Sequence, residues 1–88
     1  MRYMIEMPHT PSECLQALDE QLEKGPDVLK QFNYGCKAGD HTGYALVDVN
    51  NEIEARNLVP GFLISKARIV EVNVLTPEMI KSFHAKAA

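Results

Sequence analysis

Apolar and polar residues alternate at the start of the chain. Between Arg2 and Met7, Tyr3, Ile5 and Met7 share one parity, and Arg2, Met4 and Glu6 the other. A period of two marks a β-strand with one strongly apolar face. At HTPSE the period changes. Thr10 is a favoured N-cap, Pro11 suits the first helical position, and Glu13 completes a capping box. The helix that follows carries Leu15, Leu18 and Leu22 as an apolar stripe. It stops at Lys24-Gly25-Pro26, and Pro26 to Phe32 can add another turn or two. A strand is expected on each side of YGCKAGDHTGY, Tyr34 to Tyr44. The second of these, Gly43 to Val49, sets Ala45, Val47 and Val49 against Tyr44, Leu46 and Asp48. Asn50-Asn51 ends it and caps a helix with Ile53, Ala55, Leu58 and Val59 as apolar positions, broken at Pro60-Gly61. A β-branched strand from Ala67 to Leu75 opposes Val70, Val72 and Val74 to Ile69, Glu71 and Asn73. Thr76-Pro77-Glu78 opens a last helix.

The order β-α-β-β-α-β-α predicts an α+β fold: one ferredoxin-like domain over residues 1–88 with an extra C-terminal helix. Its four-stranded antiparallel sheet would run 4-1-3-2, with both main helices on one face. The helices would cover Tyr3, Ile5, Met7, Ala45, Val47, Val70, Val72 and Val74. The open face would show Arg2, Met4, Glu6, Tyr34, Tyr44, Leu46, Asp48, Ile69, Glu71 and Asn73. That face is too apolar to sit comfortably in water and too rich in carboxylates to be a dry core.

Composition narrows the partners. The chain is 45% hydrophobic and 24% charged, with a net charge of −3 and a sequence pI near 5.5. An acidic balance without a dense Lys/Arg run argues against broad phosphate-backbone binding. Glu6 and Pro8 interrupt the N-terminal apolar run too early for a signal peptide, and no segment approaches the roughly 20 apolar residues of a membrane span. A cytoplasmic protein with no membrane partner is expected, its two cysteines, Cys14 and Cys36, free thiols. A chain this small buries only roughly 60–65% of its unfolded surface, so burial in an oligomer would help it.

Two uses suit the open face. TGYALVDV, Thr42 to Val49, resembles the ribonucleoprotein motif of RNA-recognition domains at Gly43, Tyr44, Ala45 and Val47. It departs at Thr42, Leu46 and Val49, the first strand offers no exposed aromatic, and Glu6, Asp48 and Glu71 would repel phosphates. Nucleic acid is therefore the weaker expectation. In element order, length and the helix after the last strand, the whole chain resembles the dimeric α/β-barrel superfamily. That superfamily includes muconolactone isomerase-like proteins, cofactor-free antibiotic-biosynthesis monooxygenases and small stress-responsive proteins. The resemblance implies a homodimer packed through the open sheet faces. It also implies a small molecule bound between sheet and helices, with cofactor-free isomerisation or oxidation as the reaction, or a regulatory dimer with no catalysis.

The topology gathers reactive side chains at one end of the sheet. The first strand finishes at His9, beside the start of the third near His41, with Cys14 one turn into the first helix. Cys36 and Asp40 sit on the hairpin. Such a group can do acid–base work or hold a metal. His9, Asp40 and His41 are the catalytic candidates, with Tyr3, Tyr44 and Cys36 as ligand-binding residues. No C-x-x-C pair is present, and no metal or cofactor is assigned. The plainer account treats Gly39-Asp40 as turn chemistry, Gly35 and Gly43 as near-opposite glycines, and Tyr34 with Tyr44 as a cross-strand pair. It makes Cys14 a buried, inert thiol, Cys36 a strand residue and His84 a surface residue of the last helix.

Overall fold

The computed structural model describes residues 1–87. Strand β1 spans Arg2–Pro8. A 3-10 turn, Pro11–Glu13, leads into α1, Cys14–Lys24, and then α2, Pro26–Gln31. Strand β2, Phe32–Tyr34, and β3, Thr42–Asp48, flank a second 3-10 turn at Cys36–Ala38. Helix α3, Glu52–Arg56, a third such turn at Gly61–Leu63, β4, Arg68–Glu71, and α4, Pro77–Ala87, complete the chain. The fold is α+β. Its four strands form one antiparallel sheet in the order β2-β3-β1-β4.

The core is one layer. Tyr3, Ile5 and Met7 point to the same face as Ala45, Val47 and Phe32, and Ala17, Ala55, Val59 and Leu63 close over them. Burying a side chain of the size of Ile5 or Leu63 contributes about 1.5–3 kcal/mol. Both are fully buried, as is Met7, so this layer between sheet and helices is packed with side chains. The Asn51 side chain caps α3 by accepting the Glu54 N–H at 2.9 Å.

Four local readings of the sequence are corrected. On α1 the buried residues are Ala17 and Gln21, while Leu15 and Leu22 are 69% and 55% exposed. The helix is turned so that the Cys14–Ala17–Gln21 line, spaced at i, i+3 and i+7, faces inward. Strand β4 is shorter than expected, and its faces are exchanged. Ile69 lies opposite Ile5 and Glu71 opposite Tyr3, whereas Val70 lies opposite Met4 and Arg68 opposite Glu6. Val70 and Val72 therefore belong to the open face, where they line a groove of about 150 Å³ with Met4, Glu6 and Arg68. Apolar residues occupy both parities of IVEVNV, so alternation alone does not orient this strand.

In the third correction, Tyr34 pairs with Gly43 and Asn33 with Tyr44, so the two tyrosines point to opposite faces. A Cβ on Gly43 would lie 2.9 Å from the Met7 methyl and 3.3 Å from the Tyr34 ring, which is the space the glycine leaves. Finally, Cys36 is in the 3-10 turn and not in a strand, and Gly39 ends that turn in the left-handed region at φ 86°. Glycine adopts that conformation without the Cβ penalty.

Helix α4 stands away from this layer. Its described side chains, Pro77 to Lys86, are all exposed, and the molecule measures 52 × 28 × 22 Å. Among the described residues no helix is long and apolar enough to cross a membrane.

Candidate metal centre

The site lies where β1 ends and β3 begins. Pro8 is opposite Thr42, and one step further the His9 backbone N–H donates to the His41 carbonyl at 2.9 Å. The sheet itself therefore sets the two histidines side by side, their rings edge to face with centroids 5.9 Å apart. Cys14 arrives from the turn that opens α1. The Thr10 N–H donates to Glu13 Oε1 at 2.8 Å, and Lys66 Nζ donates to the same oxygen at 2.8 Å. The Lys66 bond comes first among the causes that lower the Glu13 pKa to about 2. This turn is pinned from both sides just before Cys14.

Cys36 arrives on a loop whose backbone bonds are nearly all local. The Gly35 N–H donates to the Thr42 carbonyl at 3.0 Å. The Gly35 carbonyl accepts from Ala38 at 2.9 Å and Asp40 at 3.0 Å, and the Asp40 carbonyl accepts from Thr42 at 2.8 Å. Gly35 is required by space. A Cβ there would sit 2.7 Å from the Asp40 carbonyl oxygen.

These two short segments bring four donor atoms together. One ligand atom each from His9, Cys14, Cys36 and His41 lies within 4.8 Å of every other. The Cys14 thiol meets Cys36 Sγ at 3.4 Å, and Cys36 Sγ lies 3.5 Å from His9 Nε2. A tetrahedral ion with bonds of about 2.0–2.3 Å holds its donors about 3.3–3.8 Å apart. Both the sulfur–sulfur and the sulfur–imidazole contact already have that separation. His9 Nδ1 lies 3.3 Å from the Met7 carbonyl. A carbonyl only accepts, so Nδ1 carries the proton and Nε2 turns its lone pair to Cys36. This is the supporting bond that metal-binding histidines use. His41 Nδ1 is buried and has no hydrogen-bond partner.

The electrostatics follow from the crowding. Burial pushes the Cys36 thiol up first, and Cys14 beside it pushes it further. Two thiolates at that separation repel until a cation sits between them. Asp40 flanks the cluster with its carboxylate turned outward. It accepts from the Tyr44 hydroxyl, which heads the causes that lower its pKa, ahead of Thr42 and the charges of His41 and His9. Tyr34, on the core side, is pushed up to about 12, by burial first and then by Cys36.

Of the residues singled out in the sequence, His9, His41 and Cys36 meet at one point. Asp40 stands beside them, and Tyr44 reaches them only through Asp40. Tyr3 does not join them. It is buried at the other end of β1, about 20 Å away at the rise of a strand. His84 is exposed on α4 and outside the cluster. The sequence places Cys14 near this group but favours a buried, inert thiol and names it in no site; in the structure it is half-buried among these donors. A readable sign was present. HTPSEC and CKAGDH carry mirrored spacings, His9-x4-Cys14 and Cys36-x4-His41. Two thiolates and two imidazoles form a donor set that suits zinc and other thiolate-seeking ions.

In comparisons with known proteins, the chain matches no family model, no curated protein and no solved structure.

Proposed function

We propose that this chain is a metal-binding domain that holds a zinc-like divalent ion through His9, Cys14, Cys36 and His41. The observation that carries the reading is the convergence of four donor atoms within 4.8 Å. The plainer alternative is a buried cluster content with weak thiol hydrogen bonds. It leaves the buried His41 Nδ1 unsatisfied, at a cost of about 1–3 kcal/mol. Four protein donors fill a tetrahedral shell and leave no position for a substrate water, so the role is structural or regulatory and not hydrolytic. The ion would staple the β1–α1 corner to the β2–β3 loop, a gain for a chain with so thin a core. A reducing compartment such as the cytoplasm would keep both thiols available.

Titration of the reduced, metal-free protein with cobalt(II) tests the reading. The expected result is thiolate-to-cobalt charge transfer and tetrahedral d–d bands that saturate at one equivalent and vanish on adding zinc. A spectrum of aqueous cobalt throughout would overturn it. The competing proposal is cofactor-free isomerisation or oxidation of a small molecule by His9, His41 and Asp40, and it needs the same imidazoles free of metal. Tight zinc binding at neutral pH counts against it.

A second reading concerns assembly. Leu46 and Val70 on the open face are 52% and 38% exposed, and Met79, Ile80 and Phe83 on α4 are 45%, 46% and 52% exposed. These surfaces support a ferredoxin-like homodimer of the dimeric α/β-barrel kind, packed sheet to sheet with α4 laid on the partner. Light scattering at micromolar concentration should give twice the 9.8 kDa chain. A clean monomer would sink this assembly and make a single-stranded RNA titration the next experiment.

A further inference from the structure

We infer that Cys14 and Cys36 form a redox latch on this centre, in which a hydroperoxide joins the two sulfurs as a disulfide and the metal is released. The inference rests on the metal-binding reading above and names how that site is regulated.

Four observations carry it. The two Sγ atoms are 3.4 Å apart, so a disulfide bond of about 2.05 Å needs an approach of only about 1.4 Å. Both cysteines are free thiols and half-buried, not sealed in the core. Each sits at the edge of regular structure, Cys14 as the first residue of α1 and Cys36 as the first of a 3-10 turn. Their approach therefore breaks no strand pairing. The pair supplies both sulfur donors of a four-donor set. Joining them leaves two imidazoles, too few to retain a thiolate-seeking ion.

The chemistry balances with one oxidant. A thiolate attacks the terminal oxygen of the hydroperoxide; the O–O bond breaks, an alcohol or water leaves, and a sulfenic acid remains. The second thiolate attacks that sulfur; the S–S bond forms, the S–O bond breaks, and the departing hydroxide takes a proton from solvent as water. In sum, two thiolates, two protons and one hydroperoxide give one disulfide, one alcohol and one water. The sulfurs lose the two electrons that the peroxide gains. A small dithiol returns them by exchange, and the restored thiolates rebind the ion.

The test uses the full chain loaded with zinc, free of excess metal and reductant, with hydrogen peroxide as the oxidant and a chromogenic zinc indicator. The expected result is release of about one zinc per chain. Intact mass should show the loss of two hydrogens relative to the reduced protein, the chains should stay unlinked on a non-reducing gel, and dithiothreitol should restore binding. Zinc retained with both thiols alkylatable, at a peroxide dose that oxidises free glutathione, would overturn the latch and leave the metal reading standing. Separate sulfinic acids or interchain disulfides would also overturn it. Failure of the reduced protein to take up zinc at all would overturn both, and the loading step reports that separately.

Discussion

His9 and His41 are tied twice, once by the backbone bond from the His9 N–H to the His41 carbonyl at 2.9 Å and again by rings meeting edge to face at 5.9 Å. The imidazoles are thus set by backbone pairing that continues the strand ladder, while Cys14 opens α1 and Cys36 opens a 3-10 turn. Removing one imidazole should therefore hurt affinity far more than fold. His41→Ala is expected to weaken zinc binding by about 100-fold or more, beyond the loss typical of a supporting residue. The metal-free protein should change in stability by less than about 1 kcal/mol, because the substitution also deletes a buried nitrogen with no partner. Calorimetric titration with zinc and urea unfolding of the metal-free protein read the two quantities independently.

Metal binding should appear as stability. An ion that binds only the folded chain adds about 2.7 kcal/mol at one hundred times its Kd. For a domain of this size that raises Tm by about 10 °C or more. Differential scanning fluorimetry with zinc, and again after a chelator, checks it. Equal melting temperatures in the two conditions would remove the staple from the account.

Gly35 offers a probe that touches no donor atom. Its would-be Cβ lies 2.7 Å from a backbone oxygen of Asp40, whereas nothing lies within 4 Å of the corresponding position at Gly61. A main-chain oxygen cannot step aside as a flexible side chain can. Gly35→Ala is expected to displace the loop between Cys36 and His41, costing about 1–3 kcal/mol and at least about tenfold in zinc affinity. Gly61→Ala should leave both unchanged. Parallel zinc titrations and urea melts of the two variants make the comparison.

Much of this architecture was legible, and the failures share one physical cause. Strand β1 reads cleanly because one of its faces is uniformly apolar while the other carries Arg2 and Glu6 beside Met4. Asn51 announces α3 by local capping chemistry that needs no tertiary contact. Strand β4 does not read, because Ile69, Val70 and Val72 place apolar groups on both faces and only the pairing of Ile69 with Ile5 orients it. On α1 the leucines suggested one buried stripe, yet the helix turns Cys14, Ala17 and Gln21 inward. Small residues let it lie close to the sheet, and Gln21 Nε2 finds Met7 Sδ at 3.8 Å. The meeting of His9, His41 and Cys36 follows from topology. The inclusion of Cys14 depends on that helix rotation, which composition does not encode.

The ends of β1 and β3 are clasped by Arg2 and Asp48, with Arg2 Nε 3.2 Å from Asp48 Oδ1. This bond heads the causes that lower the Asp48 pKa from its ordinary 3.8. A depressed carboxylate binds protons less readily folded than unfolded, so its contribution is present above the ordinary value and is lost as pH falls through the lowered one. Wild type should therefore exceed Asp48→Asn in stability at neutral pH, by a small margin because both groups are exposed. The gap should close in strong acid. Urea midpoints at neutral pH and near pH 2 decide it, and a gap that widens on acidification would assign Asp48 a different role.

The exchanged faces of β4 give a sharp test of both packing and assembly. Ile69 packs against the core, and its neighbour Val70 stands on the open face at 38% exposure. Had the strand the orientation that its valines suggest, Val70→Lys would bury a charge and unfold the domain. With the observed register the damage belongs to Ile69→Lys, which drives an ammonium toward Ile5 at a cost of several kcal/mol, on the order of 3 or more. Val70→Lys should keep the urea midpoint of the isolated chain within about 1 kcal/mol of wild type. If the open face is where two copies meet, the same substitution should convert a dimer to a monomer by repulsion and desolvation at the seam. Circular dichroism and light scattering on the two variants separate the outcomes. An unfolded Val70→Lys with a folded Ile69→Lys would reverse the strand, and a Val70→Lys protein that stays dimeric would move the interface elsewhere.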